Sequence, residues 1–210
     1  SEQQAEQLNY RVLKFSPGYR QKFWIKNCVA VGMSAGFLEP LEASALAMVE
    51  LSISMLSEQL PQNRTHMSQL ANRFNDRFST RWQRVVEFLK LHYVLSERDD
   101  TPYWQNIRDL TTAPERLQNL LKLWQFQPPS RFDFIENEEV FSSSSYQYVL
   151  YGMGFNTQTP QAHNAFTSAQ AGDYFYQQNR EKIAQYLKGL PSNRALLNDL
   201  LSNNRQPHND

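Results

Sequence analysis

Two glutamates, Glu39 and Glu42, flank Pro40 in the sequence Gly36-Phe-Leu-Glu-Pro-Leu-Glu42. Proline suits the first turn of a helix, because its missing N–H would have no partner there. Acidic residues in a first turn commonly cap free amides and complement the helix dipole, and this pair is open to that purely structural interpretation. The neighbouring residues are apolar: Met33, Ala35, Phe37, Leu38 and Leu41. Such surroundings predict desolvated carboxylates, which suit proton transfer near neutral pH.

The start of the same predicted helix also offers unpaired backbone amides. The N–H groups around Ala43, Ser44 and Ala45 have no acceptor one turn earlier, because the helix begins there. Amides of this kind bind small anions at the positive end of a helix dipole. The sequence therefore places two carboxylates beside a predicted anion site.

The four histidines and the single cysteine offer no metal site. His66, His92, His163 and His208 are not at metal-ligand spacing from one another, so no bound metal is expected. His92 falls on the apolar face of a long predicted helix, where a hydrogen-bonded core role is commoner than a functional one. Cys28 lies in an apolar run and is predicted to be structural.

Two further segments combine aromatic residues with helix-ending signals. Arg98-Asp-Asp-Thr-Pro-Tyr-Trp104 is predicted to be a helix end and a turn, with Asp99 or Asp100 capping free amides. Three tyrosines precede a pair of glycines that would allow close backbone approach: Tyr146, Tyr148, Tyr151, Gly152 and Gly154. This cluster is typical of core packing.

The elements that must position these residues are mostly helical. No glycine occurs between Gly36 and Gly152, and the stretch is rich in helix-forming residues. Apolar residues recur at steps of three and four along one face: Leu70, Phe74, Phe78, Trp82, Val85 and Leu89. We predict helices at 41–60, within 62–100, and at 115–125, 169–187 and 193–201. A turn at 16–19 and strands at 21–25 and 28–31 complete a mainly α fold with a small β edge.

The net charge and composition of the chain exclude several classes of partner. The chain has 210 residues and a formal net charge of zero, which gives no reason to expect nucleic acid or an anionic membrane. No apolar stretch approaches the length of a membrane span, and a single cysteine excludes an internal disulfide. These features predict a cytoplasmic protein.

Six segments of the chain, in this order, resemble the flavin-dependent tryptophan halogenases. They are Phe23-Trp24, Asn27-Cys-Val-Ala-Val-Gly32, Gly36-Phe-Leu-Glu-Pro-Leu-Glu42, Leu91-His-Tyr93, Arg98-Asp-Asp-Thr-Pro-Tyr-Trp104 and Tyr148-Val-Leu-Tyr-Gly-Met-Gly154. The resemblance is clearest up to Gly154 and fainter beyond it. It implies the C-terminal portion of an α/β FAD/NAD(P)-binding fold of the flavin-monooxygenase type. Residues 1–42 would end the FAD-binding module, and 43–210 would form its helical substrate region.

The resemblance also implies an activity and its participants. The family uses reduced FAD, oxygen and a halide, chloride or bromide, to halogenate an electron-rich aromatic substrate such as indole or a tryptophan-like compound. A separate flavin reductase would supply the reduced FAD, and a homodimer is compatible with the family. Two alternatives stay open, namely a non-catalytic helical module or remnant of the fold, and a related flavin monooxygenase.

Site residues follow from the matched motifs. Glu42 matches the catalytic glutamate, and the amides of Ser44 and Ala45 match those that hold the halide. His92 matches a histidine of the substrate pocket, to which the lid region would add Glu136 and Phe141. The segment against the flavin ring would supply Gly32, Ser34, Ala35, Gly36, Phe37, Leu38 and Pro40.

Departures from the family pattern narrow the range of expected substrates and affect the activity expected of the chain alone. Ala43 stands where the family has the serine that links the catalytic and halide sites, and 131–145 lacks the tyrosine pair and the tryptophan of tryptophan-specific lids. These differences favour free indole, another indole derivative or a larger substrate over free tryptophan. The Gly-x-Gly-x-x-Gly loop, the essential lysine and the Trp-x-Trp-x-Ile-Pro motif of the family are not in these 210 residues. The chain alone is therefore expected to be inactive and poorly stable, with a β edge that has no sheet to join.

Overall fold

A computed structural model describes residues 11, 13–134, 139–158 and 165–203. The chain forms two compact units, Ser1–Gln158 and Thr159–Asp210. Within the described residues the structure is mainly helical, as predicted. None of the described helices has the length and apolar character needed to cross a bilayer. The predicted functional division at residue 42 stays a prediction.

Between residues 13 and 40, the first part of the chain that the structure describes continuously, there are four two-residue strands: β1 (Gly18–Tyr19), β2 (Trp24–Ile25), β3 (Cys28–Val29) and β4 (Gly36–Phe37). Antiparallel pairs form between β1 and β4 and between β2 and β3. The expected β edge thus finds partners within the chain, contrary to the prediction that it has none. The turn predicted at 16–19 is wrong in its second half, because Gly18 and Tyr19 extend to pair with β4.

The described residues of the first unit also form five α-helices: α1 (Ser44–Gln59), α2 (Met67–Leu95), α3 (Pro102–Ile107), α4 (Glu115–Trp124) and α5 (Ser143–Gly152). The long predicted helix is α2, and its predicted apolar face is confirmed. Phe74, Phe78 and Val85 are almost completely buried. The predicted helix at 115–125 is confirmed as α4. The start predicted for the first helix is wrong, because α1 begins at Ser44 and not at Leu41.

Asn75 of α2 fixes the β2–β3 hairpin against the long helix. Its side-chain Oδ1 accepts hydrogen bonds from the backbone N–H groups of Phe23 (2.7 Å) and Trp24 (2.8 Å), and its Nδ2 donates to the Trp24 carbonyl (2.9 Å). The rings of Phe23 and Trp24 pack edge-on against Phe78 and Phe74. A helix side chain therefore takes the place of a neighbouring strand.

Three predictions at the ends of elements need correction. Cys28 is exposed and not structural core, because β2 and β3 form a ribbon of which it lies at one end. The cap of α3 is Thr101, whose hydroxyl accepts from the Trp104 amide, while Asp100 pairs instead with Arg98 at 2.7 Å. Neither Asp99 nor Asp100 is that helix cap.

The serine-rich and tyrosine-rich segment forms α5, for which no element was predicted. Tyr146 is fully buried, as core packing predicts, but Tyr148 is 84% exposed. Gly154 ends the helix in the left-handed region (φ 73°), and the Phe155 amide donates to the Leu150 carbonyl at 2.9 Å. This is a helix-ending motif that favours glycine. A Cβ at Gly152 or Gly154 would meet nothing within 4 Å, so neither glycine is required for packing within the described residues.

The second unit contains α6 (Ala165–Gly189) and α7 (Asn193–Asn203). Both helices were predicted, with somewhat shorter bounds. The Ser192 hydroxyl accepts from the Ala195 amide at 3.2 Å and caps α7.

The role of Asn75 can be tested by stability. Asn75→Ala removes three hydrogen bonds and leaves the backbone amides of Phe23 and Trp24 without their Asn75 acceptor. We therefore expect the free energy of unfolding to fall by about 2–4 kcal/mol. Urea unfolding measures the change. Asn72→Ala, an exposed asparagine of the same helix, is the matched control and should stay within about 0.5 kcal/mol. Equal losses in the two variants would contradict this role.

Candidate functional site

The two glutamates lie on a tight turn that separates β4 from α1. Residues Leu41–Ala43 form a single 3₁₀ turn, and the Ala43 amide donates to the Pro40 carbonyl at 3.0 Å. Glu42 (φ 64°) and Ala43 (φ 49°) are both in the left-handed region, which is strained for residues other than glycine. The chain therefore changes direction at Glu42 before α1 begins.

This turn brings Glu42 to His92 near the end of α2. Glu42 Oε1 lies 3.0 Å from His92 Nε2, although 50 residues separate them in the chain. His92 Nδ1 lies 2.8 Å from the Phe88 carbonyl one turn earlier. The predicted catalytic and substrate-pocket residues are thus in direct contact.

The hydrogen-bond partners of His92 restrict where its protons lie. A carbonyl oxygen can only accept, so Nδ1, which faces the Phe88 carbonyl, carries a hydrogen. Nε2 faces Glu42, and the contact requires one proton between them. Either an imidazolium donates to the carboxylate, or a neutral imidazole accepts from the carboxylic acid. In both arrangements the pair holds one proton that can move between the two residues.

The predicted desolvation of Glu42 is wrong. Its side chain is 39% exposed, at a turn where the Glu42 backbone is left-handed and Leu41 is exposed as well. His92 has a side chain only 15% exposed. The carboxylate therefore combines access to small molecules with a partly buried partner.

Glu39 is held separately, by the residue that follows His92. The Tyr93 hydroxyl donates to Glu39 Oε1 at 2.9 Å. Burial of Tyr93, together with this hydrogen bond, raises the pKa of its hydroxyl to about 12. The hydroxyl therefore stays protonated, and remains a donor, at neutral pH.

A cavity of about 420 Å³ lies against the segment that the resemblance assigns to the flavin. Its walls are mostly apolar, with Met48 and Trp82 among them. The predicted flavin and halide residues that line it are Gly32, Ala35, Gly36, Phe37, Leu38, Pro40, Ser44 and Ala45. Ser34 has a different environment, because its hydroxyl bonds to the backbone N–H and C=O of Val31.

Gly36 is needed for packing on the protein side of this cavity. A Cβ there would lie 2.7 Å from Tyr19 Cβ, 2.9 Å from Trp82 Cη2 and 3.0 Å from the Gly18 carbonyl. The rings of Tyr19 and Trp82 stack at 5.6 Å over this position. The glycine thus lets β1, β4 and α2 approach one another behind the cavity wall.

A second cavity, of about 540 Å³, is lined by residues of the predicted lid region. Phe141 lies in its wall and stacks on Phe88 with ring centroids 4.0 Å apart. Phe88 in turn makes an edge-to-face contact with His92 at 5.0 Å. A continuous aromatic contact therefore links this cavity to the Glu42–His92 pair. Glu136, the other lid residue named from the sequence, lies outside the described residues.

The sequence analysis missed a buried ionic cluster beside the second cavity. Glu87 accepts from Arg84 (2.9 Å) and Arg116 (2.6 Å), and Arg84 Nε lies 3.3 Å from Glu139 Oε1 without the alignment of a hydrogen bond. Burial raises the pKa of Glu139, although the two arginines oppose that effect. The one local signal was the i, i+3 spacing of Arg84 and Glu87. The described residues contain no group of His, Cys, Asp or Glu able to hold a metal ion.

Comparisons with known proteins show the family to which this chain belongs. The family model described as tryptophan halogenase matches residues 1–171. A tryptophan halogenase from Shewanella frigidimarina is 45% identical in the aligned region, with a TM-score of 0.83 over 93% of this chain and 37% of that one. A flavin-dependent halogenase from Brevundimonas sp. BAL3 is 32% identical, with a TM-score of 0.71 over 88% of this chain and 36% of that one.

Sequence relatives give the same result. A tryptophan 7-halogenase from Kutzneria sp. is 30% identical over 167 residues, which are 74% of this chain and 31% of that protein. The chain spans about a third of the length of the curated relatives it matches. The family match covers most of the chain and includes both the turn of Glu42 and the helix of His92. This chain belongs to the tryptophan halogenase family.

Proposed function

We propose that this chain is the substrate-side portion of a halogenase that uses reduced FAD, oxygen and a halide to halogenate an electron-rich aromatic compound. The observation that carries the proposal is the 3.0 Å contact between Glu42 and His92, at a turn followed at once by the first amides of α1. An exposed carboxylate with a proton-holding partner is suited to an aromatic substitution, which must remove a proton from the ring.

The flavin would be held by the wall of the first cavity. Met33 is 80% exposed and Phe37 is 39% exposed, so this wall presents uncovered apolar surface of the kind a flat ring system can cover. When bound there, reduced FAD would supply the activation of oxygen that converts the halide to an electrophilic halogen. The remaining part of the binding site would come from an FAD-binding module corresponding to the further length of the relatives, and a separate flavin reductase would supply the reduced cofactor.

The halide would lie at the first turn of α1. Ser44 and Ala45 are the first two residues of this helix and line the first cavity. Their amides point away from the helix at the positive end of its dipole, which favours an anion. The left-handed residues Glu42 and Ala43 direct the carboxylate away from these amides, so an anion and the catalytic carboxylate can occupy neighbouring places.

Glu42 would accept the proton that leaves the substrate ring. It can do so as the carboxylate partner of a His92 imidazolium, because a carboxylate has a second oxygen that can take the ring proton. His92 Nδ1 stays bound to the Phe88 carbonyl, which fixes the orientation of the imidazole ring. General-base help of this kind contributes about 10²–10⁴-fold to a rate. His92 is thus expected to orient the carboxylate as well as to border the substrate.

The substrate ring would bind in the second cavity, whose wall includes the aromatic side chains of Phe132, Phe134 and Phe141. Stacking against such side chains favours indole-like rings. The carboxylate of Glu139 already forms an ion pair with Arg84. Because that charge is engaged, the cavity is better suited to a ring than to the charged backbone of a free amino acid.

The role of Glu42 is tested by Glu42→Gln in the protein joined to its FAD-binding module. The amide cannot accept a proton, so we expect product formation to fall by roughly a hundredfold or more while FAD binding is unchanged. Single-turnover product formation and flavin titration measure the two quantities. Glu50→Gln, which changes an exposed glutamate of α1, should keep the parental rate. Full turnover by Glu42→Gln would contradict the proposal.

The substrate preference is tested by competition between indole and L-tryptophan. We expect a higher kcat/KM for indole, since the described lid offers aromatic faces and its buried glutamate is charge-paired. Product ratios from mixtures at equal concentration measure the preference directly. A clear preference for L-tryptophan would show that the amino-acid part is recognised and would contradict this expectation.

A further inference from the structure

Consecutive residues of α2 hold the two glutamates of one turn. His92 binds Glu42 at 3.0 Å, and Tyr93 binds Glu39 at 2.9 Å. Neighbouring residues on a helix point about 100° apart, so the turn 39–42 spans this angle around the end of α2. Helix α2 therefore binds the first and the last residue of the turn 39–42.

The turn needs such support, because its backbone is strained. Two successive non-glycine residues, Glu42 and Ala43, are left-handed, at a cost of about 1–2 kcal/mol each. Strained conformations of this kind persist only where surrounding contacts impose them. The hydrogen bond from the Ala43 amide to the Pro40 carbonyl closes the turn locally, but it does not fix the turn relative to α2.

Tyr93 is well placed to provide the missing anchor. Its ring packs against Trp104 of α3 with ring centroids 6.1 Å apart. The Arg98 guanidinium lies 4.5 Å from the centroid of the same Trp104 ring. The segment Arg98–Trp104, for which the sequence suggested no function beyond a turn, therefore supports the Tyr93 ring. A supported ring keeps its hydroxyl directed at Glu39.

We propose that Tyr93, acting through Glu39, is a positioning residue that sets the place of the Glu42 carboxylate. Tyr93 does not touch the reacting atoms in this account. Its hydrogen bond fixes the start of the turn whose end carries Glu42. This inference rests on the proposed catalytic role of Glu42.

The test begins with Tyr93→Phe in the protein joined to its FAD-binding module. Removal of the hydroxyl keeps the ring against Trp104 but releases Glu39, so we expect kcat to fall roughly tenfold. The KM for substrate and the affinity for FAD should change less than about twofold, since uniform binding is untouched. Tyr148→Phe, which changes an 84% exposed tyrosine of α5, is the matched control and should keep the parental kcat.

Variants of Glu39 separate positioning from simple stability. Glu39→Gln retains an oxygen that can accept from Tyr93 and should keep most of kcat, whereas Glu39→Leu should lose as much as Tyr93→Phe. The double variant Tyr93→Phe/Glu39→Leu should be no slower than either single variant, because both changes break the same bond. A Tyr93→Phe protein with a lower Tm but unchanged kcat would overturn the inference.

A final comparison uses the background of Glu42→Gln. If Tyr93 acts through Glu42, Tyr93→Phe should have little further effect on the residual rate there; an undiminished tenfold loss would overturn the inference. The two proposals fail in different ways. Full activity of Glu42→Gln contradicts the catalytic role and with it the inference, whereas a slow Glu42→Gln protein with a fully active Tyr93→Phe protein contradicts the inference alone.

Discussion

The left-handed backbone at Glu42 and Ala43 is the constraint on which the arrangement of the site depends. A regular helix from Leu41 would carry Glu42 around the axis of α1 and away from α2. The observed turn breaks the helix before Ser44, so that the carboxylate extends to His92 while the first amides of α1 open on the neighbouring cavity. The strain of two residues accompanies the contact of the Glu42 carboxylate with His92, beside the amides at which we propose the halide binds.

The long helix α2 supplies the frame for both ends of this arrangement. Asn75, in the first third of α2, holds the β2–β3 hairpin, and His92 with Tyr93 holds the turn near the end of the helix. Asn75 and His92 are 17 positions apart, which is about 25 Å along the helix. Because α2 makes both sets of contacts, it fixes the positions of the hairpin, the cavity wall and the turn relative to one another.

Much of the fold was predictable, because periodic burial is a local signal. The face of α2 from Phe74 to Leu89 and the position of α4 follow directly from it. The left-handed turn could not be predicted, since neither Glu nor Ala favours that conformation and only tertiary contacts impose it. The pairing of Glu42 with His92 joins residues 50 positions apart, which a single sequence does not reveal. The family resemblance named Glu42 and His92, while their contact, the exposure of Glu42 and the cluster around Glu139 required the structure.

The central claim is that this chain's turn and helix serve halogenation, and the product itself tests it most directly. The protein joined to its FAD-binding module would be given reduced FAD, oxygen, bromide and indole, and the products analysed by mass spectrometry. The account predicts a monobrominated indole with the paired isotope peaks of bromine, formed only when bromide is present. A hydroxylated indole formed equally well without bromide would contradict it and favour a monooxygenase, and recovery of unmodified indole alone would contradict it in favour of a non-catalytic module.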